Sequence, residues 1–196
     1  MSNTIDFYFD IMSPFSYLAH TQLPDLARKY GYQIAYHPID IPQAKIAAGN
    51  YGPSNREIPA KIKVLIADLE RWAKRYNVPF NFPESLEVEL WNVGVFYAIE
   101  KDQTEEYVDE CYRKVWGMGI DPTNLRELKD TAKTMGWDQE KFLDYVQSSK
   151  ARTEFRKACV EAQNKGVFGA PIMMLDDQVW WGNDRLDFIE EYLSKL

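Results

Sequence analysis

Cysteine and histidine are scarce in this 196-residue chain; Cys111, Cys159, His20 and His37 are all it has. Two cysteines, each within a helical pattern, exclude a disulfide-stapled scaffold and suit a reducing compartment. They read as ordinary helix residues. The four residues lack ligand spacing, so no metal site is expected. Also missing is any apolar run near the roughly 18 residues that a membrane span requires. Flexible linkers, low-complexity tracts and internal repeats are absent as well. Positive charge is in short supply: 23 basic residues against 30 acidic ones give a formal net charge of −7. A phosphate-binding face needs a basic excess, so no nucleic-acid partner is expected. The chain enters a strand-like run at residues 5–9 without a cationic or apolar leader, and a cytoplasmic protein is expected.

What is present is enough for one domain, or one domain carrying a large insertion; 45% of the residues are hydrophobic. Residues 5–10 (IDFYFD) alternate and are rich in aromatics, which predicts a strand. Ser13-Pro14 then starts a helix, with Ser13 as N-cap and Pro14 in the first position, running to Tyr30 with a kink near Pro24 and a stop at Gly31. Residues 33–37 form a second strand, and a strand–helix–strand unit favours a parallel pair. The middle of the chain is helical. Ile58, Ile62, Leu65, Leu69, Trp72 and Tyr76 recur at steps of three and four. Further helices are predicted at about 91–100, 105–116, from Asp121-Pro122 to Gly136, from Asp138 onward, and at 151–165. Trp137 and Phe142 are spaced for a hydrophobic staple. The aromatic stripes read as core packing. Short strands at 172–175 and 179–181 and a last helix capped from Gly182-Asn183-Asp184 close the chain.

The order is therefore β-α-β, a block of helices, then β-β-α. Without the block, that is the thioredoxin order. The expected fold is α/β, a thioredoxin-like domain (residues 1–42 and 167–196) holding a linker loop and an all-helical insertion domain (residues 43–166).

Four stretches carry polar chemistry. Ser13-Pro14-Phe15-Ser16 sits at the first strand-to-helix junction, where free N–H groups and the helix dipole stabilise an anion. A serine there is either a plain cap or a hydroxyl donor to a thiolate the protein does not itself carry. Gly169-Ala170-Pro171 lies directly before a strand. It suits a cis X-Pro bond that leaves Ala170 free to pair with an extended peptide, or a trans proline opening an edge strand. Asp184 is a helix cap or an acceptor for a ligand ammonium. The Gly/Pro/Asn-rich stretch 45–56 is a linker or a binding loop whose Lys45 and Arg56 can hold a carboxylate.

Taken together and in order, DFYFD (6–10), SPFSYLA (13–19), GPSNR (52–56), VFGAP (167–171) and WWGNDR (180–185) resemble the 2-hydroxychromene-2-carboxylate isomerases of naphthalene catabolism. The set is similar, more loosely, to kappa-class glutathione transferases, and both families share their fold with periplasmic disulfide oxidoreductases. The resemblance implies a homodimer using glutathione as cofactor and a small aromatic keto acid as substrate. It implies that Ser13 hydrogen-bonds the glutathione sulfur and that Ala170, before Pro171, pairs with the cysteinyl backbone. Trp181, Gly182, Asn183 and Asp184 would hold the γ-glutamyl end, and Lys45, Asn55 and Arg56 the substrate. The family pattern has a tyrosine near position 86 as another substrate contact; this chain has Leu86.

The implied reaction interconverts 2-hydroxychromene-2-carboxylate and trans-o-hydroxybenzylidenepyruvate. A thiolate adds reversibly to the alkene, allowing the blocked rotation that ring closure requires. Two alternatives stand beside it: a kappa-like transferase conjugating electrophiles, and a redox-inactive thioredoxin-fold binding module. A disulfide oxidoreductase is disfavoured, because residues 13–16 contain no cysteine.

Overall fold

Alternation in the first strand sets the architecture. In the computed structural model, which describes residues 3–196, strand β1 spans Thr4–Phe9. Ile5, Phe7 and Phe9 are fully buried in the larger core, while Tyr8 joins a smaller core on the opposite face. This is the two-residue period of a strand covered on both sides. Strand β2 (Gln33–Pro38) runs parallel to β1 with Phe7 opposite Tyr36. Strands β3 (Ile172–Leu175) and β4 (Gln178–Trp181) return antiparallel, with Phe7 opposite Met173, and the sheet order is β2-β1-β3-β4. Asp176 turns β3 into β4 at a positive φ of 54°.

The helices are α1 (Pro14–His20), α2 (Leu23–Lys29), α3 (Ile41–Ala47), α4 (Pro59–Tyr76), α5 (Glu89–Glu100), α6 (Thr104–Tyr112), α7 (Leu125–Thr134), α8 (Gln139–Gln147), α9 (Ser149–Asn164) and α10 (Leu186–Leu193). The block α5–α8 packs around aromatic rings, including the Trp137–Phe142 staple at 5.3 Å between centroids.

Four expectations require correction. The single helix to Tyr30 is two helices. Pro24 cannot donate the bond that would bridge the break, and Thr21 Oγ1 donates to Leu18 O at 2.8 Å, so Pro24 opens α2 instead of kinking α1. The stretch from residue 45 is not all loop: Asp40 accepts from the Gln43 N–H at 2.9 Å and caps α3, so the boundary drawn after residue 42 falls inside a helix. The helix expected from Asp121 starts at Leu125, capped by Asn124, because Asp121 forms a local turn with Thr123. Asp184 caps nothing. Residues Asn183–Arg185 form a 3-10 turn, and the Asp184 carboxylate pairs with Arg185 at 2.8 Å.

Helix α9 belongs with the sheet in packing, although it lies within the stretch assigned to the insertion. Its Ala162, with Val167 beyond its end, packs on Tyr8 and Ile172. We propose that residues 1–42 and 167–196 form the thioredoxin-like unit, with residues 43–166 inserted between them. Residues 1 and 2, where that division begins, lie outside the described residues.

Cys111 and Cys159 are buried free thiols. Burial pushes both upward, Cys159 to about 12, so neither is a ready thiolate at neutral pH.

Candidate active site

The β1–α1 corner is held by bonds that leave donors over, the Ser13 hydroxyl and the Phe15 N–H among them. The Ser13 hydroxyl oxygen accepts from the Ser16 N–H at 3.1 Å, so its own proton remains available. The Ser13 N–H donates to Asp10 O at 2.9 Å, and the Ser13 carbonyl accepts from the Tyr17 N–H at 3.0 Å. Pro14 has no N–H. The Phe15 N–H has no acceptor among the described residues. Ser13 is 4% exposed and lines a cleft of about 500 Å³. A nearly dry hydroxyl and an unpaired N–H at a helix start are suited to a bound anion.

Across the cleft lie the ends of β3 and β4. The Ala170–Pro171 bond is cis. Neither the N–H nor the C=O of Ala170 bonds another described residue, whereas Pro171 O accepts from the Gly182 N–H at 3.0 Å. Asn183 is 2% exposed and its Nδ2 has no partner among the described residues. Gly182 has a φ of 110°, and a Cβ there would stand 2.4 Å from Asp184 Oδ1, so the turn presenting residues 182–184 requires glycine. The unpaired Ala170 backbone and the buried unpaired Asn183 amide belong to residues that line one cleft, a lining suited to a peptide-like ligand.

The third wall comes from the helical block and the turn before it. Asn55 and Arg56 lie on a 3-10 turn braced by Glu57, which accepts from the Ser54 N–H at 2.6 Å. Leu65, Leu69 and Trp72 of α4 line the cleft, with Phe82, Leu86 and Trp116. Trp116 stacks on Phe80 at 5.8 Å and donates from Nε1 to Ile11 O at 2.8 Å. It sits on a π-helical turn, Arg113–Met118, that continues α6. This wall is mostly apolar and aromatic, with Arg56 and Asp68 as its charged residues.

The structure brings Ser13, Asn55, Arg56, Leu86, Ala170, Pro171, Trp181, Gly182, Asn183 and Asp184 to this cleft. Lys45 does not line it, which corrects its expected place. Helix α3 directs the ammonium to the Gly52 carbonyl at 2.5 Å, so Lys45 fastens the loop that carries Asn55 and Arg56. Trp72 and Trp116 also line the cleft, although an aromatic at helical spacing reads as core; Phe15 belongs to the 13–16 motif. Asp10 and Asn92 were missed. A carboxylate placed between an apolar strand and Ser-Pro is the one signal that pointed to Asp10.

Comparison with known proteins agrees with this fold. Residues 4–194 match the DSBA-like thioredoxin domain. The chain is 56% identical over 193 residues to the 2-hydroxychromene-2-carboxylate isomerase of Sphingobium xenophagum, covering 98% of this chain and 99% of that one. The chain belongs to that isomerase family. A solved structure of a 2-hydroxychromene-2-carboxylate isomerase superposes with a TM-score of 0.93 at 40% identity, covering 98% of this chain and 95% of the other. Glutathione S-transferase kappa 1 of Caenorhabditis elegans is a more distant relative, 24% identical over 207 residues, covering 97% of this chain and 91% of its own.

Proposed function

We propose that this protein is a glutathione-dependent isomerase interconverting 2-hydroxychromene-2-carboxylate and trans-o-hydroxybenzylidenepyruvate. The observation that carries the reading is one cleft holding the free Ser13 hydroxyl proton, the unpaired Ala170 backbone and the unpaired Asn183 amide. Those groups fit a tripeptide thiol. When bound, glutathione supplies a thiolate that adds reversibly to the substrate alkene and so frees rotation about it.

The protein's part is to position, to desolvate and to hold charge. The Ser13 hydroxyl, keeping its proton, would donate a hydrogen bond to the sulfur, and the Phe15 N–H would add a second donor. An ordinary thiol of pKa about 8.5 needs a drop of about two units to be mostly ionised at neutral pH, which takes roughly 2.7 kcal/mol. Two charge-assisted hydrogen bonds at roughly 1.5–3 kcal/mol each supply that. Helix α1 adds less than a long helix would, because it has only seven residues. Ala170 pairs with extended peptide backbone, and Asn183 with Asp184 holds an amino-acid end. Arg56 and Asn55 hold the keto-acid carboxylate at the rim. The aromatic ring lies against Trp116, Phe82 and Leu86.

A homodimer in the cytoplasm belongs to the same reading, and size-exclusion chromatography tests the dimer. The decisive experiment is glutathione-dependent loss of the chromene absorbance band. No loss with glutathione, together with conjugation of a chlorinated nitrobenzene, would make the protein a transferase instead.

A further inference from the structure

Asp10 is a carboxylate only 2% exposed, placed between β1 and Ser13, and the chemistry above does not use it. Its Oδ1 accepts from the Met12 N–H at 3.1 Å and from Asn92 Nδ2 at 2.8 Å, and its Oδ2 accepts from the Ile41 N–H at 3.1 Å. Asn92, on α5, returns a bond: its Oδ1 accepts from the Ile11 N–H at 3.1 Å. The Asp10 carbonyl accepts from the Ser13 N–H and from the Tyr112 hydroxyl at 3.2 Å. Every N–H of the segment 11–13 is therefore committed to Asp10 or Asn92. One side chain also joins that segment to the start of α3 and, through Asn92, to the helical block.

Asp10 and Asn92 also line a second cleft, of about 540 Å³, which shares Met12 and Leu86 with the first. Asp40, Glu87, Glu89 and Arg152 line the same space, and Tyr112 reaches Asp10 from α6. A route for protons thus reaches a group that is otherwise sealed.

We infer that Asp10, clamped by Asn92, is a positioning residue that sets the Ser13 corner for thiol activation and couples its geometry to the helical block. The inference rests on the proposed glutathione chemistry, but its structural half stands apart from it. Burial pushes the Asp10 carboxyl up to about 6, with Asn92, Ile41 and Met12 pulling the other way and Asp40 adding to the rise. Protonation at mildly acid pH would weaken its hold on the corner.

The test follows wild type, Asp10→Asn and Asn92→Ala by two measurements. Backbone amide resonances of Met12, Ser13 and Ile41 are followed against pH in the free protein. The thiol of bound glutathione is titrated by ultraviolet absorbance alongside the rate–pH profile. In wild type, the amides should move in step with the Asp10 carboxyl, and in Asp10→Asn they should stay still. Both variants should raise the bound-thiol pKa and lower kcat by roughly ten- to a hundred-fold, with KM for glutathione little changed. In Asp10→Asn the component of the acid limb that follows the Asp10 carboxyl should disappear, leaving a single limb that tracks the raised thiol pKa. Folded variants with wild-type thiol pKa and rate would overturn the inference, as would static amides in wild type. If Asp10→Asn does not fold, Asn92→Ala decides the same question. Amides that move in a wild type that binds no glutathione would sink the cofactor reading and leave the clamp standing.

Discussion

Ser13 and Asn183 are 4% and 2% exposed, whereas Asn55 and Arg56, on another wall of the same cleft, stand open to solvent. The first wall is built from strand ends and a helix start tied together by backbone bonds (Ser13 to Asp10, Gly182 to Pro171) that leave the Phe15 N–H and the Ala170 backbone uncommitted. The second is a short turn fastened by Lys45 on Gly52 and Glu57 on Ser54. Charge is to be held on the dry wall, where donors are worth more and need no rearrangement. The open wall captures a charged substrate that must enter and leave. Substitutions on the two walls should therefore fail differently, one in rate and the other in substrate affinity.

Ser13→Ala tests the dry wall most directly. It should lower kcat roughly a hundred-fold, as removal of a donor to a reacting anion does. The loss of the cap on Ser16 should cost stability only about 0.5–2 kcal/mol. Single-turnover rates and titration of the bound thiol would check this; an unchanged thiol pKa would reduce Ser13 to a helix cap.

The same wall should carry a pH signature at Asp10. Its folded pKa, about 6, lies above the unfolded value of about 3.9. Burial therefore makes the ionised form the costlier one in the fold: the fold is favoured below about pH 4 and that gain is lost as pH rises through about 6, although it is the ionised carboxylate that accepts the three bonds holding the corner. The stability difference between wild type and Asp10→Asn should shift toward wild type by at most about 3 kcal/mol from pH 7 to pH 4. Urea unfolding at the two pH values measures it, and a constant difference would contradict it.

On the open wall, Arg56→Ala should raise KM for the keto acid roughly ten-fold, the low end of a charge-assisted bond, because the guanidinium is exposed. Glutathione affinity should stay as it was. Equal loss of both affinities would abolish the distinction between the walls. Lys45→Met should do the least, raising KM for the keto acid roughly two- to three-fold through loosening of the loop. An effect as large as that of Arg56→Ala would mean that Lys45 reaches the substrate itself.

Local chemistry made much of this molecule legible from its residues alone. The alternation of residues 5–9, the Ser-Pro start, the Asp138 cap and the β-β-α ending each state their element, since strand period, capping and turn residues act within a few positions. The ordered motifs identified the family and brought Ser13, Ala170, Asn183 and Arg56 into one list. Tertiary structure decided the rest. Whether Lys45 meets a ligand or Gly52 depends on where α3 points it. Whether Trp116 is core or wall depends on a π-turn beneath Ile11. Asp10 acquires its role from Ile41, about 30 residues away, and from Asn92, about 80 away. Such long-range pairings come from packing, which no short sequence window contains.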